Sequence, residues 1–212
     1  MKRTKIVILL IVLTMLISAC GLPQIKSPGP QITEKPNIEN RDDEQNHSFI
    51  KDKSTEVIKA LKDRDMEKLS KLVHPEKGVR FSPYGYVDAG KDLVFTASDV
   101  SGLLSDSTIY TWGSYDGSGD PIELTFEDYY KRFIYDVDFA NAEHIGYNEI
   151  LGKGNTLENS AEVYKGSIIV EYHFPGIDPQ YEGMDWRSLR IAFEKAENTW
   201  YLAGIIHDEW TI

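Results

Sequence analysis

The last third of the chain contains three long segments in which apolar and polar residues alternate. They span Ile168 to Phe174, Trp186 to Lys195 and Trp200 to Trp210. Successive side chains of a strand point to opposite faces, so this alternation is typical of strands with one buried face. Residues that favour turns separate the segments, including Ala196 to Thr199 before the third. The pattern predicts an antiparallel sheet in this part of the chain.

The two faces of the predicted sheet differ in character. One face is apolar and carries Val170, Tyr172, Leu189, Ile191 and Phe193. The opposite face carries ionisable and hydroxyl side chains, namely Glu171, His173, Ser188, Arg190 and Glu194. The apolar face therefore needs a covering layer, and the polar face is where chemistry is expected.

Helical periodicity precedes the sheet. One apolar stripe runs from Val57 to Leu61, with Ser54 as the predicted cap, and a second runs from Met66 to Val73. The segment Thr125 to Tyr135 is apolar almost around its whole girth, so it must be buried on more than one side. These features predict an α+β fold with N-terminal helices packed on a mostly antiparallel sheet.

One short stretch resembles a calcium loop without meeting its requirements. Asp116, Ser118 and Asp120 occupy alternate positions, and Glu127 is the twelfth residue of the stretch. The sixth position is Pro121, where such a loop needs glycine for its sharp turn. We therefore predict a hairpin with a glycine-rich tip here, and no metal site.

The N-terminus has the pattern of a lipoprotein export signal. Met1 to Lys5 carry three positive charges, and an apolar run of about a dozen residues follows to Ile17. The run is shorter than the ~20 residues that span a bilayer. Ile17-Ser18-Ala19-Cys20 resembles a lipobox, which predicts a signal peptide at residues 1–19, lipid attachment at Cys20 and a place on the extracytoplasmic face of the cell membrane. The alternative is an uncleaved N-terminal anchor with the same orientation.

Residues 20–50 are predicted to form a lipidated, disordered tether, and residues 51–212 a single α+β domain. The tether region contains four prolines and one aromatic residue, Phe49, so it has little with which to build a core. Cys20 is the only cysteine, which excludes disulfides, cysteine metal sites and a cysteine nucleophile from the domain. The sequence predicts no cofactor.

The charge of the chain excludes one class of partner. Beyond the predicted signal peptide it has 20 basic and 34 acidic side chains, a formal charge of −14. Nucleic-acid binding needs a positive surface, so no nucleic-acid partner is expected. The acidic surplus is explained by solubility, and a cationic ligand stays open as an alternative.

Three segments of the domain resemble an uncharacterised family of lipoproteins in bacilli and their relatives. They are His74 to Tyr84, the Tyr110-Thr111-Trp112-Gly113 stretch, and the closing Gly204 to Ile212. The order of helices and strands resembles the cone-shaped, nuclear transport factor 2-like superfamily. The resemblance implies a curved sheet with a cavity between sheet and helices, and it leaves open a homodimer through the sheet. It identifies no catalytic residue in this chain.

A diffuse group of side chains forms the predicted ligand site. His173, Glu171 and Arg190, with either His207 or Asp208, are expected to meet on one sheet face. Tyr84, Tyr86 and Trp112 are expected nearby, where they would supply apolar walls. Cross-strand ion pairs on a solvated face would explain the same residues without a ligand.

These observations favour a membrane-anchored binding or interaction module, with an envelope component or another exported protein as its partner. The alternative is a small-cavity acid/base enzyme, an isomerase or hydrolase, in which His173 or His207 transfers a proton. The state of the interior separates the two. A cavity filled by Phe and Trp favours the module, and an open one with His173 and Arg190 at its floor favours the enzyme.

Overall fold

The computed structural model describes the backbone from Ile38 to Thr211 and the side chains from Ser48 onward. The predicted signal peptide and Cys20 lie outside the described residues. The described part is an α+β domain in which helices cover one face of a mostly antiparallel sheet. Among its helices, none combines the length and apolarity needed to cross a bilayer.

The domain contains five α-helices and eight strands. The helices are α1 (Ile38–Lys62), α2 (Met66–Ser70), α3 (Ala97–Gly102), α4 (Phe126–Phe133) and α5 (Ser160–Val163). The strands are β1 (Val79–Ser82), β2 (Val94–Phe95), β3 (Tyr110–Ser114), β4 (Pro121–Leu124), β5 (His144–Tyr147), β6 (Ile168–Phe174), β7 (Arg187–Ala196) and β8 (Thr199–Glu209).

Six strands form the main sheet in the order β2-β1-β8-β7-β6-β5. All neighbours are antiparallel except β1 and β8, which pair in parallel with Phe81 opposite Ile205. The remaining strands, β3 and β4, form the separate hairpin that the sequence predicts. The three predicted C-terminal strands are confirmed as β6, β7 and β8.

The predicted boundary between tether and domain lies inside a helix. Helix α1 begins at Ile38, and Ile50 is completely buried in the core, so the domain includes residues before position 51. Ser54 does not cap a helix, because it lies within α1. Its hydroxyl donates to the Lys51 carbonyl oxygen and accepts from the Tyr172 hydroxyl at 3.0 Å. A buried polar contact with the sheet therefore replaces the predicted cap.

Aromatic rings fill the space between helices and sheet. Trp112 stacks on Tyr129 with 3.9 Å between ring centroids, and Phe81 makes edge contacts with both rings. Phe126 and Phe133 are completely buried in the same cluster. Helix α4 supplies most of these rings from one buried face. The predicted burial of this segment on more than one side is wrong, because the side chains of Asp128 and Lys131 on its opposite face are 58% and 55% exposed.

The second face of the sheet is also covered. The segment between β5 and β6 crosses it and contains α5. Tyr164 packs so closely on β8 that a Cβ on Gly204 would collide with its ring. A small cluster of Val87, Tyr164, Ile169, Ala192, Ala203 and Ile206 forms beneath this cover.

Candidate functional site

The predicted polar residues meet on the covered face of the sheet. Glu171 of β6, Ser188 and Arg190 of β7, and Asp208 of β8 occupy neighbouring positions across three strands. We call these four residues the buried ion cluster, because each is at most 3% exposed. The expected convergence of Glu171, Arg190 and Asp208 is present, but it lies under the segment between β5 and β6.

All three nitrogen atoms of the Arg190 guanidinium group donate hydrogen bonds to other residues of the protein. Its Nε donates to Glu171 at 3.0 Å, Nη1 to Asp208 at 2.8 Å, and Nη2 to the carbonyl oxygen of Gly152 at 2.8 Å. Burial lowers the pKa of Arg190, but the charges of Glu171 and Asp208 outweigh burial and raise it. Arg190 is therefore a charged structural residue, and its predicted role as a ligand contact does not fit this geometry.

Glu171 attaches the covering segment to the sheet. Its two carboxylate oxygens accept hydrogen bonds from the backbone N–H groups of Leu151 and Gly152 at 2.9 and 2.8 Å. A Cβ on Gly152 would lie 2.4 Å from the Ser188 hydroxyl, so the backbone has to approach the cluster as glycine. The cluster thus explains the glycine at position 152, and the Trp186 ring also leaves little room for a Cβ on Gly154.

His173 lies at the margin of the buried ion cluster. Its Nδ1 is 2.8 Å from the Ser188 hydroxyl, and its ring packs near Trp186 and His144. Burial lowers the pKa of His173, which favours the neutral imidazole at neutral pH. With 8% of its surface exposed, His173 has little room to contact a ligand.

His207 lies on the other face of the sheet from Arg190. It forms an ion-pair cluster at the end of α4, which comprises Arg132, Asp136, Arg187, His207 and Glu209. The Nε2 of His207 is 3.2 Å from Asp136, which Arg187 also contacts at 2.8 Å. Burial raises the pKa of Asp136, but His207 and Arg187 outweigh burial and lower it. We call this group the His207 cluster.

A β-bulge in β8 determines which face of the sheet His207 and Asp208 each occupy. Ala192 pairs with Gly204 and Phe193 with Leu202, so Ala203 is an extra residue in β8. An extra residue reverses the alternation beyond it. Ile205 and His207 consequently share the helix-covered face with Leu202, while Asp208 turns toward Arg190. The structure selects Asp208 from the two alternatives that the sequence leaves open.

Three members of the His207 cluster have the spacing of a metal site. Donor atoms of Asp136, His207 and Glu209 lie within 4.8 Å of one another. Arg187 contacts both carboxylates, and Arg132 forms a two-pronged ion pair with Glu209. Two guanidinium groups already supply the positive charge that a metal ion would bring, so these residues do not fit a metal centre.

Trp112 belongs to the interior and not to a ligand site. Its side chain is completely buried, and its indole N–H donates to the Leu124 carbonyl oxygen at 2.9 Å. The sequence places it correctly on a strand, but its ring points into the core, where the cluster of aromatic rings surrounds it. The interior is thus filled by Phe, Tyr and Trp, and His173 and Arg190 lie behind the sheet.

The remaining predicted residues, Tyr84 and Tyr86, line a surface cavity of about 540 Å³. We call it the tyrosine cleft. It lies between the loop that follows β1 and the tip of the β3–β4 hairpin. Its lining comprises Pro83, Tyr84, Tyr86, Asp88, Lys91, Asp92, Thr156 and residues 113–119. A cavity of this size is within the range of small-molecule sites.

Hydrogen bonds hold the walls of the tyrosine cleft in place. The side chain of Asn159 accepts from the Val87 N–H at 2.7 Å and donates to the Val87 carbonyl oxygen at 3.1 Å. Thr156 donates to Asp116 at 3.2 Å and so connects the hairpin tip to the covering segment. The Tyr84 ring packs edge-on against Phe133 at 5.6 Å. The cleft is therefore braced from both sides.

Asp92 lies at the floor of the cleft and is 8% exposed. The Ser82 hydroxyl donates to its Oδ2 at 2.5 Å, and the Asp88 N–H donates to the same oxygen at 3.0 Å. Burial raises the pKa of Asp92 to about 6, although both hydrogen bonds oppose that shift. A carboxyl group that titrates near neutrality in a cleft is typical of a functional site.

Sequence reasoning found the two tyrosines, missed Asp88 and Asp92, and considered Asp116 only as part of a calcium-like loop. Asp88, Asp92 and Asp116 stand in loops with no periodic pattern, and the hairpin tip approaches the β1 loop only in the folded chain. One local signal was available: Asp88 and Asp92 flank Gly90 at a spacing at which a turn brings their side chains together. Asp88 and Asp92 do close such a turn, with the Asp92 N–H donating to the Asp88 carbonyl oxygen at 2.8 Å.

A smaller groove of about 380 Å³ lies between α1 and the edge strand β5. Its apolar walls include Ile58, Ile145 and Tyr172. Its charged rim is already paired, since Lys59 contacts Asp63 at 2.8 Å and Lys62 contacts Asp138 at 2.7 Å. The tyrosine cleft is the stronger candidate because a buried carboxyl group faces it.

The raised pKa of Asp92 predicts a pH-dependent stability. Between pH 4.5 and 7.5 the unfolded chain binds fewer protons at this site than the folded chain, so ionisation of Asp92 lowers the free energy of unfolding as pH rises. We expect Asp92→Asn to remove this loss. In urea denaturation, the free energy of unfolding of Asp92→Asn minus that of wild type should be about 2 kcal/mol larger at pH 7.5 than at pH 4.5.

The exposed Asp120→Asn variant provides the control, and its difference from wild type should change little with pH. A stability difference for Asp92→Asn that is the same at both pH values would contradict the raised pKa.

Comparisons with known proteins add little to this geometry. The sequence matches no protein-family model, and no curated protein matches it. Among solved structures, a designed nuclear transport factor 2-like protein aligns over 77% of this chain and 98% of its own, with 14% identity and a TM-score of 0.32. A similarity this low carries no argument about function, so the α+β assignment rests on the elements of the domain itself.

Proposed function

We propose that the protein is a lipid-anchored binding module on the extracytoplasmic face of the cell membrane, and that the tyrosine cleft is its ligand site. Residues 1–20 support the location, because they combine a basic start, an apolar run and a lipobox-like Cys20. The resemblance to lipoproteins of bacilli and their relatives supports the same location. The partner would be an envelope component or part of another exported protein.

One observation carries the choice of a binding module. The interior between helices and sheet is filled by aromatic rings, whereas an open cleft with a buried carboxyl group lies on the surface. A preformed concave site with aromatic walls and a few fixed polar groups is the usual form of a small-ligand site. The packed interior and the braced tyrosine cleft together favour recognition of a ligand at the surface over chemistry between the helices and the sheet.

An NMR screen of small molecules tests the position of the site. The full chain in a non-ionic detergent would be titrated with cationic, neutral and anionic compounds, and backbone amide shifts recorded. We expect saturable shifts to concentrate at residues 83–92 and 113–119. Shifts concentrated elsewhere, or no saturable shift with any compound, would overturn the assignment of the cleft.

Lipid attachment gives a separate prediction. In cells fed a fatty acid with an alkyne tag, we expect the wild-type chain to take up the label and to sediment with membranes. Cys20→Ala should lose the label completely, because no other thiol is present to accept an acyl group. Gel fluorescence after coupling of a dye to the alkyne measures the label.

Ser27→Ala, in the same segment, provides the control and should keep full labelling. An unlabelled wild-type chain, or equal labelling of Cys20→Ala, would contradict the proposed anchor.

The second candidate is an acid/base enzyme that uses the same cleft. The raised pKa of Asp92 favours it, since a group that titrates near the working pH transfers protons efficiently. The two candidates differ in what Asp92→Asn does to a bound ligand. If the protein is an enzyme, wild type converts the bound substrate and Asp92→Asn does not. If it is a binding module, neither wild type nor the variant converts the ligand.

A further inference from the structure

We infer that the tyrosine cleft takes a ligand with a positively charged amino or ammonium group. This inference rests on the proposed function, because it assigns a chemical class to the ligand of the same site. It draws on three properties of the cleft: its aromatic walls, the balance of charge around it and the state of the carboxyl group at its floor.

Three tyrosine rings line the cleft. Tyr84 forms part of its buried wall, Tyr115 is half-buried, and Tyr86 is 49% exposed at its rim. The faces of aromatic rings carry negative potential and attract cations within about 6 Å. Rings and carboxylates lining one cavity are the combination by which proteins recognise ammonium groups.

The charged groups around the cleft are mostly acidic. Asp88, Asp92 and Asp116 line it, and Lys91 is the one cationic side chain in its lining. Lys91 is 81% exposed along its side chain and contacts Asp88 at 3.5 Å, so its charge is directed to solvent and to a neighbouring acid. Arg80 also lies near Asp92 and donates to its backbone carbonyl oxygen at 3.0 Å, but three carboxylates still outnumber these two cations. An anionic ligand would meet this acidic surplus, whereas a cation would reduce it.

Asp92 has one carboxylate oxygen available to a ligand. Both hydrogen bonds that it receives from described residues fall on Oδ2. Asp92 is 92% buried, and it lines the cavity. At pH 7.5 the group is mostly ionised, because burial raises its pKa only to about 6. A buried negative charge with an unused acceptor is costly unless a donor or cation approaches it.

Three probes of the same size and different charge test the inference at pH 7.5. They are 2-phenylethylammonium, 2-phenylethanol and phenylacetate, each titrated into the full chain in non-ionic detergent. We expect the ammonium probe to bind at least about 10-fold more tightly than the neutral one, as a charge-assisted hydrogen bond predicts. The amide shifts should concentrate at residues 83–92 and 113–119.

Two variants test the residues that would hold the cation. Tyr86→Ala removes a rim ring and should weaken binding of the ammonium probe at least about 5-fold. Tyr181→Ala is a matched control, because Tyr181 is also 49% exposed and lies outside the cleft, and it should leave binding unchanged. Asp92→Asn keeps the shape of the floor and should weaken binding about 10-fold.

The outcomes separate this inference from the proposed function. If the neutral or anionic probe binds the cleft as tightly as the cation, the inferred ligand class is wrong and the binding site stands. If no probe perturbs the cleft in a saturable way, both are wrong. Equal effects of Tyr86→Ala and Tyr181→Ala would also overturn the inference, because the ring would then make no specific contact.

Discussion

Arg190→Met should lower the free energy of unfolding by about 3–5 kcal/mol. The side chain is completely buried and holds Glu171, Asp208 and the Gly152 carbonyl oxygen together. Methionine fills a similar volume but donates no hydrogen bond, so two carboxylates would remain buried without their cation. Urea denaturation followed by circular dichroism measures the effect.

Arg64→Met is the matched control for this prediction. Arg64 also forms an ion pair, with Glu127 at 3.1 Å, but both side chains are more than 40% exposed. Its loss should cost at most about 1 kcal/mol because solvent screens the pair. Combining Arg190→Met with Glu171→Gln should cost less than the sum of the single changes. Equal losses for Arg190→Met and Arg64→Met would contradict the structural role of the buried ion cluster.

Trp112→Ala should destabilise the domain by about 3–5 kcal/mol. The change removes the stack on Tyr129 and the edge contact with Phe81, and it leaves a large cavity at the centre of the core. It also removes the hydrogen bond to the Leu124 carbonyl oxygen in β4. The free energy of unfolding in urea is again the measurement, with near-ultraviolet circular dichroism to report the loss of fixed aromatic packing.

Trp210→Ala gives the comparison, because Trp210 directly follows β8 and is 39% exposed. Its removal should cost about 1 kcal/mol or less. If Trp112→Ala lowered the free energy of unfolding no more than Trp210→Ala, the central aromatic packing would not hold the helices on the sheet. That result would contradict a filled interior.

The sheet could be predicted from the sequence because its strands are long and amphipathic. In β6 and β7 every second side chain is apolar, and these side chains do face the core. Helix α4 was also predicted, since its aromatic residues form one wide buried face, although its charged residues face solvent and the segment is not buried around its whole girth. In these segments local patterning and tertiary burial agree, and the sequence alone then indicates the structure.

The position of β8 side chains could not be derived in the same way. Simple alternation from Leu202 places Asp208 on the helix-covered face, and the bulge at Ala203 reverses this. The local signal near Ala203 is Gly204, because an isolated glycine within a strand pattern can mark a bulge or a close backbone approach. The glycine does not say which of the two occurs. The bulge follows instead from pairing with two neighbours at once, antiparallel to β7 and parallel to β1.

The candidate site was harder to predict than the fold because its parts are distant in sequence. Tyr86, Asp92 and Asp116 come from two loops, and Asn159 and Thr156 of a third segment hold those loops in place. Arg190 and His173 attracted attention because they are ionisable residues on strands. Arg190 instead fastens the covering segment through the Gly152 carbonyl oxygen, and His173 contacts Ser188 of the neighbouring strand. No spacing rule reveals these contacts.

The place of β8 in the sheet has a consequence for how the chain acquires its structure. The last of the described strands in chain order, β8, lies third of six in the sheet, with β1 on one side and β7 on the other. Until Thr199 to Glu209 are available, β2 and β1 have no connection to β5, β6 and β7 through the sheet. The six-stranded sheet can therefore be completed only after β8 is available, which places its closure late in the assembly of the domain.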